Sequence, residues 1–95
     1  MTHKLKILPE FFKAVSSKEK SFEIRKNDRN FKVGDWLILK EWDNEKEKYT
    51  GREVKRYVSY IFYGTEDFGL HPDYCVMSLK TSAPMKSYDG EEVLK

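Results

Sequence analysis

Lys20-Ser21-Phe22-Glu23-Ile24-Arg25-Lys26-Asn27-Asp28-Arg29 is the stretch on which the fold and the chemistry of this chain turn. Strand side chains alternate faces, so Phe22 and Ile24 share one side of an extended segment and Glu23 and Arg25 the other. The aromatic and β-branched residues suit a strand, and Asn27-Asp28-Arg29-Asn30 suits the polar turn that ends it. Phe22 and Ile24 are expected to face the core. An acid and a base side by side, flanked by Lys20, Lys26 and Arg29, can clamp a polar, anionic ligand. The plainer alternative is a Glu–Arg pair that only closes a sheet face.

Working outward, Thr2 to Leu8 alternates, with His3, Leu5 and Ile7 on one side and Lys4 and Lys6 on the other, as a half-buried first strand does. Leu8, Phe11, Phe12 and Val15 follow the i, i+3, i+4, i+7 spacing of a short amphipathic helix, with Pro9 in its first turn and Ser16-Ser17-Lys18 at its end. Beyond the central stretch, Val33-Gly34-Asp35 makes a tight turn into Trp36–Lys40, apolar enough on both faces for a central strand. Asp43 to Lys48 is a charged hairpin tip. Arg52 to Tyr63 is a strand carrying Val54, Val58, Tyr60 and Phe62 in period two, bent near its middle, with Arg56 interrupting its apolar face. Gly64 to Pro72 reads as a loop and Tyr74–Lys80 as the last strand. Residues 1–80 form one domain and residues 81–95, with Pro84 and Gly90 and little periodicity, a tail that is partly ordered at most. One helix and five or six strands joined by short turns imply a small α+β domain. Its sheet is expected to curl into a β-barrel or half-barrel, which limits exposed edges.

The bulk composition fits one domain of 95 residues with 39% hydrophobic, 36% charged and 15% aromatic residues. The net charge of +2 hides an uneven distribution. Residues 1–40 carry ten Lys/Arg against five Asp/Glu, a balance of +5, and residues 41–95 eight against eleven, a balance of −3. The first half can therefore present a positive face to phosphates. Cys75 is the single cysteine, which excludes an intramolecular disulfide and, inside an apolar strand, reads as a small core residue. His3 and His71 are far apart and no acid sits at a metal-ligand spacing, so neither a metal nor a cofactor is expected. There is no apolar run long enough to span a membrane and no signal-peptide core, so a cytoplasmic protein is expected.

The short helix, Lys20-x-x-Glu23-x-Arg25, and Val33-Gly34-Asp35 opening an apolar strand resemble the ASCH domain of the PUA-like superfamily. That signature is a Gly, a Lys two residues on, a Glu three further and an Arg two beyond. Lys20, Glu23 and Arg25 fall on the last three positions, and Lys18 stands in place of the Gly. The His3–Lys6, Phe22–Arg29 and Tyr49–Arg52 segments are similar to a branch of small bacterial and phage ASCH-like proteins of unassigned function. The resemblance covers about residues 3–80. It implies a PUA-like barrel with a ligand cleft between the first helix and the barrel mouth, and a role in binding RNA or a nucleotide.

On this reading the ligand-binding residues are Lys20, Glu23, Arg25, Lys26, Asn27, Asp28, Arg29, Tyr49 and Arg52, with His3 at the cleft rim. Arg25 is the expected anion anchor, because its planar fork matches phosphate. Tyr49, Trp42 or Tyr74 is a candidate to stack on an unpaired base. Two other readings belong to different classes. Some ASCH proteins resemble amidohydrolases acting on acetylcytidine through a Lys, a Thr and a Glu; Lys20 matches the lysine, but the threonine position is Glu23. A carboxylate cannot replace a hydroxyl in acyl transfer, which leaves Lys20 and Glu23 as an acid–base pair acting through water. The third reading is a protein-interaction module that uses the acidic loop 41–47 and the tail 88–95.

Overall fold

The structure, a computed structural model, describes residues 1–84; the greater part of the expected tail, 85–95, lies outside the described residues. The chain runs β1 (Thr2–Ile7), α1 (Pro9–Ser16), β2 (Phe22–Lys26), β3 (Trp36–Asp43), β4 (Lys48–Thr65), a 3₁₀ turn (Glu66–Phe68) and β5 (Leu70–Lys80). All five strands join one sheet in the order β1-β3-β4-β5-β2. The β1–β3 pair is parallel and the other pairs are antiparallel. The result is a small α+β domain with one helix and a mixed five-stranded sheet.

The sheet is not the closed barrel that was expected. Its edge strands, β1 and β2, form no ladder with each other. They are brought together across a seam by two arginine side chains, which donate from the β2 side to backbone carbonyls of β1: Arg25 Nη2 to Lys6 O, and Arg29 Nη1 to Lys4 O at 3.0 Å. Guanidinium groups thus take donor positions that main-chain N–H groups fill in a closed barrel, which leaves the edges satisfied but apart.

That seam also explains why the faces of β2 are opposite to expectation. Phe22 and Ile24 are exposed, while Glu23 is buried and Arg25 half-buried. Glu23 turns inward because Lys20 and Arg25 meet it there, and only from that side does Arg25 reach β1. The alternation holds, but the buried face is the charged one. A polar residue is admitted to the interior when its hydrogen bonds are made.

The core consists of Leu5 and Ile7 of β1, Phe12 and Val15 of α1, Phe31 of the segment between β2 and β3, Leu37 and Leu39 of β3, Val58 and Ile61 of β4, and Cys75, Met77 and Leu79 of β5. Each such large side chain contributes about 1.5–3 kcal/mol through its burial. In β3 the inward residues are Leu37 and Leu39; Trp36 and Ile38 are half-buried on the other side, Trp36 meeting Tyr57 edge-on at 5.2 Å. The expected bend in β4 is a shift of register between Val58 and Tyr60. It moves the buried positions from Val58 to Ile61, so Tyr60 is exposed rather than inward. Arg56 on this strand donates to Val15 O at the end of α1.

The stretch 64–72 is not a loop: β4 continues to Thr65, and after one 3₁₀ turn β5 begins at Leu70. A second register shift, between Tyr63 and Thr65, brings the two strands very close at Gly64. A Cβ there would lie 2.0 Å from His71 O, so only glycine fits. Gly34, at φ +97°, makes the turn into β3, with Asp35 N–H donating to Lys32 O at 3.1 Å.

Candidate functional site: a cationic seam between the sheet edges

A cleft of about 350 Å³ lies along the seam, lined by Lys4, Leu5 and Lys6 of β1, Arg25 and Lys26 of β2, Asp28, Arg29 and Phe31 of the following segment, and Tyr49 of β4. The alternation of β1 builds one wall: Leu5 and Ile7 go to the core, so Lys4 and Lys6 must point away from it. The polar turn after β2 supplies the other. Its backbone is fixed by Asn27 N–H donating to Asp73 O at 2.7 Å and by Asn27 Oδ1 accepting from Phe31 N–H at 2.9 Å. Five cationic side chains therefore face one carboxylate, Asp28. Among the described residues, Lys4, Lys6, Lys26 and Arg29 form no ion pair.

Next to the cleft, the Lys6 ammonium sits 3.8 Å from the centre of the Trp42 ring, Trp42 meets Tyr49 edge-on at 4.9 Å, and Lys40 lies 4.8 Å from the Tyr49 ring centre. Cation–π contacts hold these lysines in place without neutralising them. Tyr49 keeps 44% of its surface exposed. Tyr74 lines an adjoining cavity with Leu8, Phe11 and Ile24, and that cavity shares Lys6, Arg25 and Lys26 with the seam cleft.

Lys20, Glu23 and Arg25 form one connected group. Glu23 is 4% exposed; it accepts from Lys20 Nζ on Oε1 at 2.9 Å and from Arg25 Nε on Oε2. Instead of lining a single cleft, the three residues divide. Arg25 faces the seam and shares the adjoining cavity with Glu23, whereas Lys20 lines a separate cavity at the end of α1. Asn27 and Asp28 border a shallow cavity with Pro72 and Asp73, and Asp28 also reaches the seam.

Two expected site residues have structural roles. His3 is 5% exposed and does not form a rim: its Nε2 donates to Asp35 Oδ2 at 2.8 Å, and its ring meets Phe31 edge-on at 4.8 Å. Burial pushes the Asp35 carboxyl up, but hydrogen bonds from His3, the Lys32 N–H and the Met1 amino group outweigh it and hold the group below the usual aspartate value. Arg52 lies away from the seam, in a cavity with Pro9, Phe12 and Lys13. It grips the buried Glu41 through Nε at 2.8 Å and Nη2 at 2.9 Å, and Thr50 Oγ1 donates to the same carboxylate at 2.7 Å. The Arg52 and Thr50 hydrogen bonds hold the Glu41 carboxyl below the usual range despite its burial.

Lys4 and Lys6 belong to the cleft and were not singled out among the candidate site residues. Their signal was present, since the alternation of β1 put them on its solvent side; what was missing was the knowledge that β2 lies across from them. Burial pushes the Cys75 thiol up, as suits a core residue and not a nucleophile. Among the described residues no cluster of three or more His, Cys, Asp or Glu side chains could hold a metal ion, and no helix is long and apolar enough to cross a membrane.

An uncharacterized 12.9 kDa protein in the GpA 3′ region of Escherichia phage P2 is 42% identical to this chain over 53 residues. Those residues are 56% of this chain and 47% of the phage protein, so the match spans about half the length of that relative. The aligned family covers more: residues 2–79, from β1 to the end of β5, match the domain of unknown function DUF3850, and the chain belongs to that family.

Proposed function

We propose that the protein is a binding module for RNA or a nucleotide, and that the cationic seam between β1 and β2 is where phosphate is received. One observation supports this above the others: five cationic side chains from two sheet edges converge on a cleft that contains a single carboxylate. Holding like charges together opposes folding unless they are screened or bound by an anion. Phosphate contacts position a nucleic acid and do not read its sequence, so any selectivity falls to Tyr49 and Asp28. Tyr49 offers a half-exposed ring for a base to stack on, a contact worth about 1–3 kcal/mol. Asp28 offers acceptors for a base or sugar edge. The superfamily resemblance, with its RNA-binding members, agrees with this reading, although fold alone does not fix function.

The test is a titration of the purified protein with short single-stranded RNA, duplex RNA and a panel of free nucleosides and nucleotides at low and moderate salt. Salt-sensitive binding of single-stranded RNA, weakened by Arg29→Ala and by Tyr49→Ala, is expected. Binding restricted to a free nucleotide would make the seam a small-molecule pocket. Turnover of acetylcytidine lost in Lys20→Ala would instead favour the amidohydrolase reading, and no binding of any of these ligands would leave the protein-interaction reading.

A further inference from the structure

Cations gather at a second place, beside the Lys20 that donates to Glu23. A cavity of about 310 Å³ opens between the end of α1, the start of β2 and the end of β5, lined by Lys18, Lys20, Arg56 and Lys80 and by Ser21, Thr81 and Ser82. Among the described residues no carboxylate lines it. It shares no residue with the seam cleft. A helix C-terminus is normally a poor neighbour for an anion, because its free carbonyls carry partial negative charge. Here three of those carbonyls are occupied. Lys13 O accepts from Ser17 N–H, Ala14 O from Lys20 N–H, and Val15 O from both Lys18 N–H and the Arg56 guanidinium.

The backbone adds a second observation. Lys18 has φ +68°, in the left-handed region that a side chain with a Cβ adopts at a cost. Glycine would make the same turn without that strain. A lysine is present instead, and its side chain lines the cavity. A left-handed residue is common just past a helix end, usually as glycine; the lysine here adds a cation to the cavity. Lys18 and Lys80 form no ion pair among the described residues, whereas Lys20 is steered by Glu23 and Arg56 by backbone carbonyls.

From the convergence of Lys18, Lys20, Arg56 and Lys80 with three hydroxyls on a cavity without a carboxylate, we infer a binding site for a phosphate monoester, separate from the seam. Lysines and an arginine supply charge and donors to the phosphate oxygens, and the hydroxyls of Ser21, Thr81 and Ser82 supply further donors. The cavity has room for a small organic group beside the phosphate.

Titration of the ¹⁵N-labelled full chain with glycerol phosphate and with inorganic phosphate, at constant ionic strength set by chloride, tests this. Saturable amide shifts confined to residues 18–21, 56 and 79–82 are expected. With inorganic phosphate as effective as the monoester, the site recognises the phosphate alone; with the monoester tighter, it also recognises the organic group. Either result supports the inference. Lys18→Gly should unfold at a higher temperature than the wild type yet bind about tenfold more weakly, so lost binding in it cannot be lost folding. Lys80→Gln should weaken binding similarly. Unsaturable shifts spread over the surface, shifts centred on Lys4, Lys6 and Arg29, or full affinity in Lys18→Gly would overturn the inference. None of these outcomes depends on whether RNA binds at the seam.

Discussion

The ladder and the seam solve the same problem of a sheet edge in opposite ways. From β1 through β3, β4 and β5 to β2, main-chain hydrogen bonds join neighbours, and most of the apolar core comes from the inward side chains of β1, β3, β4 and β5. Between β1 and β2 no ladder forms, and two guanidinium groups reach across to carbonyls instead. A ladder excludes ligands because its donors and acceptors are paired with each other. The seam satisfies two carbonyls and still gathers cations at an open cleft. Rigidity belongs to the ladder and recognition to the seam. Substitutions in the first are therefore expected to act on stability, and in the second on binding.

The largest expected effect is on the ladder. Gly64→Ala places a Cβ 2.0 Å from His71 O, against backbone that cannot move without breaking the β4–β5 pairing. A loss of about 3 kcal/mol or more is expected in urea denaturation. A loss below about 1 kcal/mol would show that the close approach of β4 and β5 is dispensable.

Asp35→Ala comes next, because it leaves His3 buried without its partner and frees the Lys32 N–H; about 2–3 kcal/mol is expected. The pH dependence has a definite sign. A carboxyl whose value is lowered by folding contributes stability above its unfolded value of 3.8, and loses it as pH falls through the lower folded value. The stability gap between wild type and variant should thus be constant near neutrality and narrow only below about pH 4. A gap that widens on acidification would contradict the direction of the shift.

At the seam the balance reverses. Arg29→Ala removes one exposed hydrogen bond to Lys4 O and should cost only about 1 kcal/mol. Its effect on RNA affinity should be larger than its effect on stability. If unfolding midpoints fall as far as in Gly64→Ala, the seam is part of the rigid framework and the contrast between the two regions fails. The smallest effect has the opposite sign: Lys18→Gly relieves a left-handed backbone and should stabilise by about 1 kcal/mol.

These contrasts also show what was legible in the residues. Period-two alternation revealed β1, β2 and the core part of β4, and the i, i+3, i+4, i+7 spacing revealed α1, because local geometry alone sets those patterns. Which face of β2 is buried depended on a long-range fact, the position of β1 across the seam, that no spacing within β2 encodes. The same applies to Arg52. Its proximity to Tyr49 in sequence suggested a shared site, yet strand side chains alternate faces, and the exposed guanidinium turns to the buried Glu41 carboxylate instead. β4 runs past its expected end because Gly64, an apparent loop former, is instead the residue that lets two strands touch. Lys20, Glu23 and Arg25 do form one connected group, although Lys20 lines a different cavity from Glu23 and Arg25 where one cleft was expected.

The most direct test of the central claim is the salt dependence of single-stranded RNA binding, measured by fluorescence anisotropy for the wild type and for the double variant Lys4→Gln/Lys26→Gln. Both lysines line the seam and are exposed, so the fold should be unaffected. Each phosphate contact on a single strand contributes about 0.7 to the slope of log affinity against log salt. The account predicts that the double variant binds more weakly and with a slope shallower by about 1.4, while its unfolding curve stays that of the wild type. An unchanged slope with unchanged affinity would contradict the assignment of phosphate to the seam.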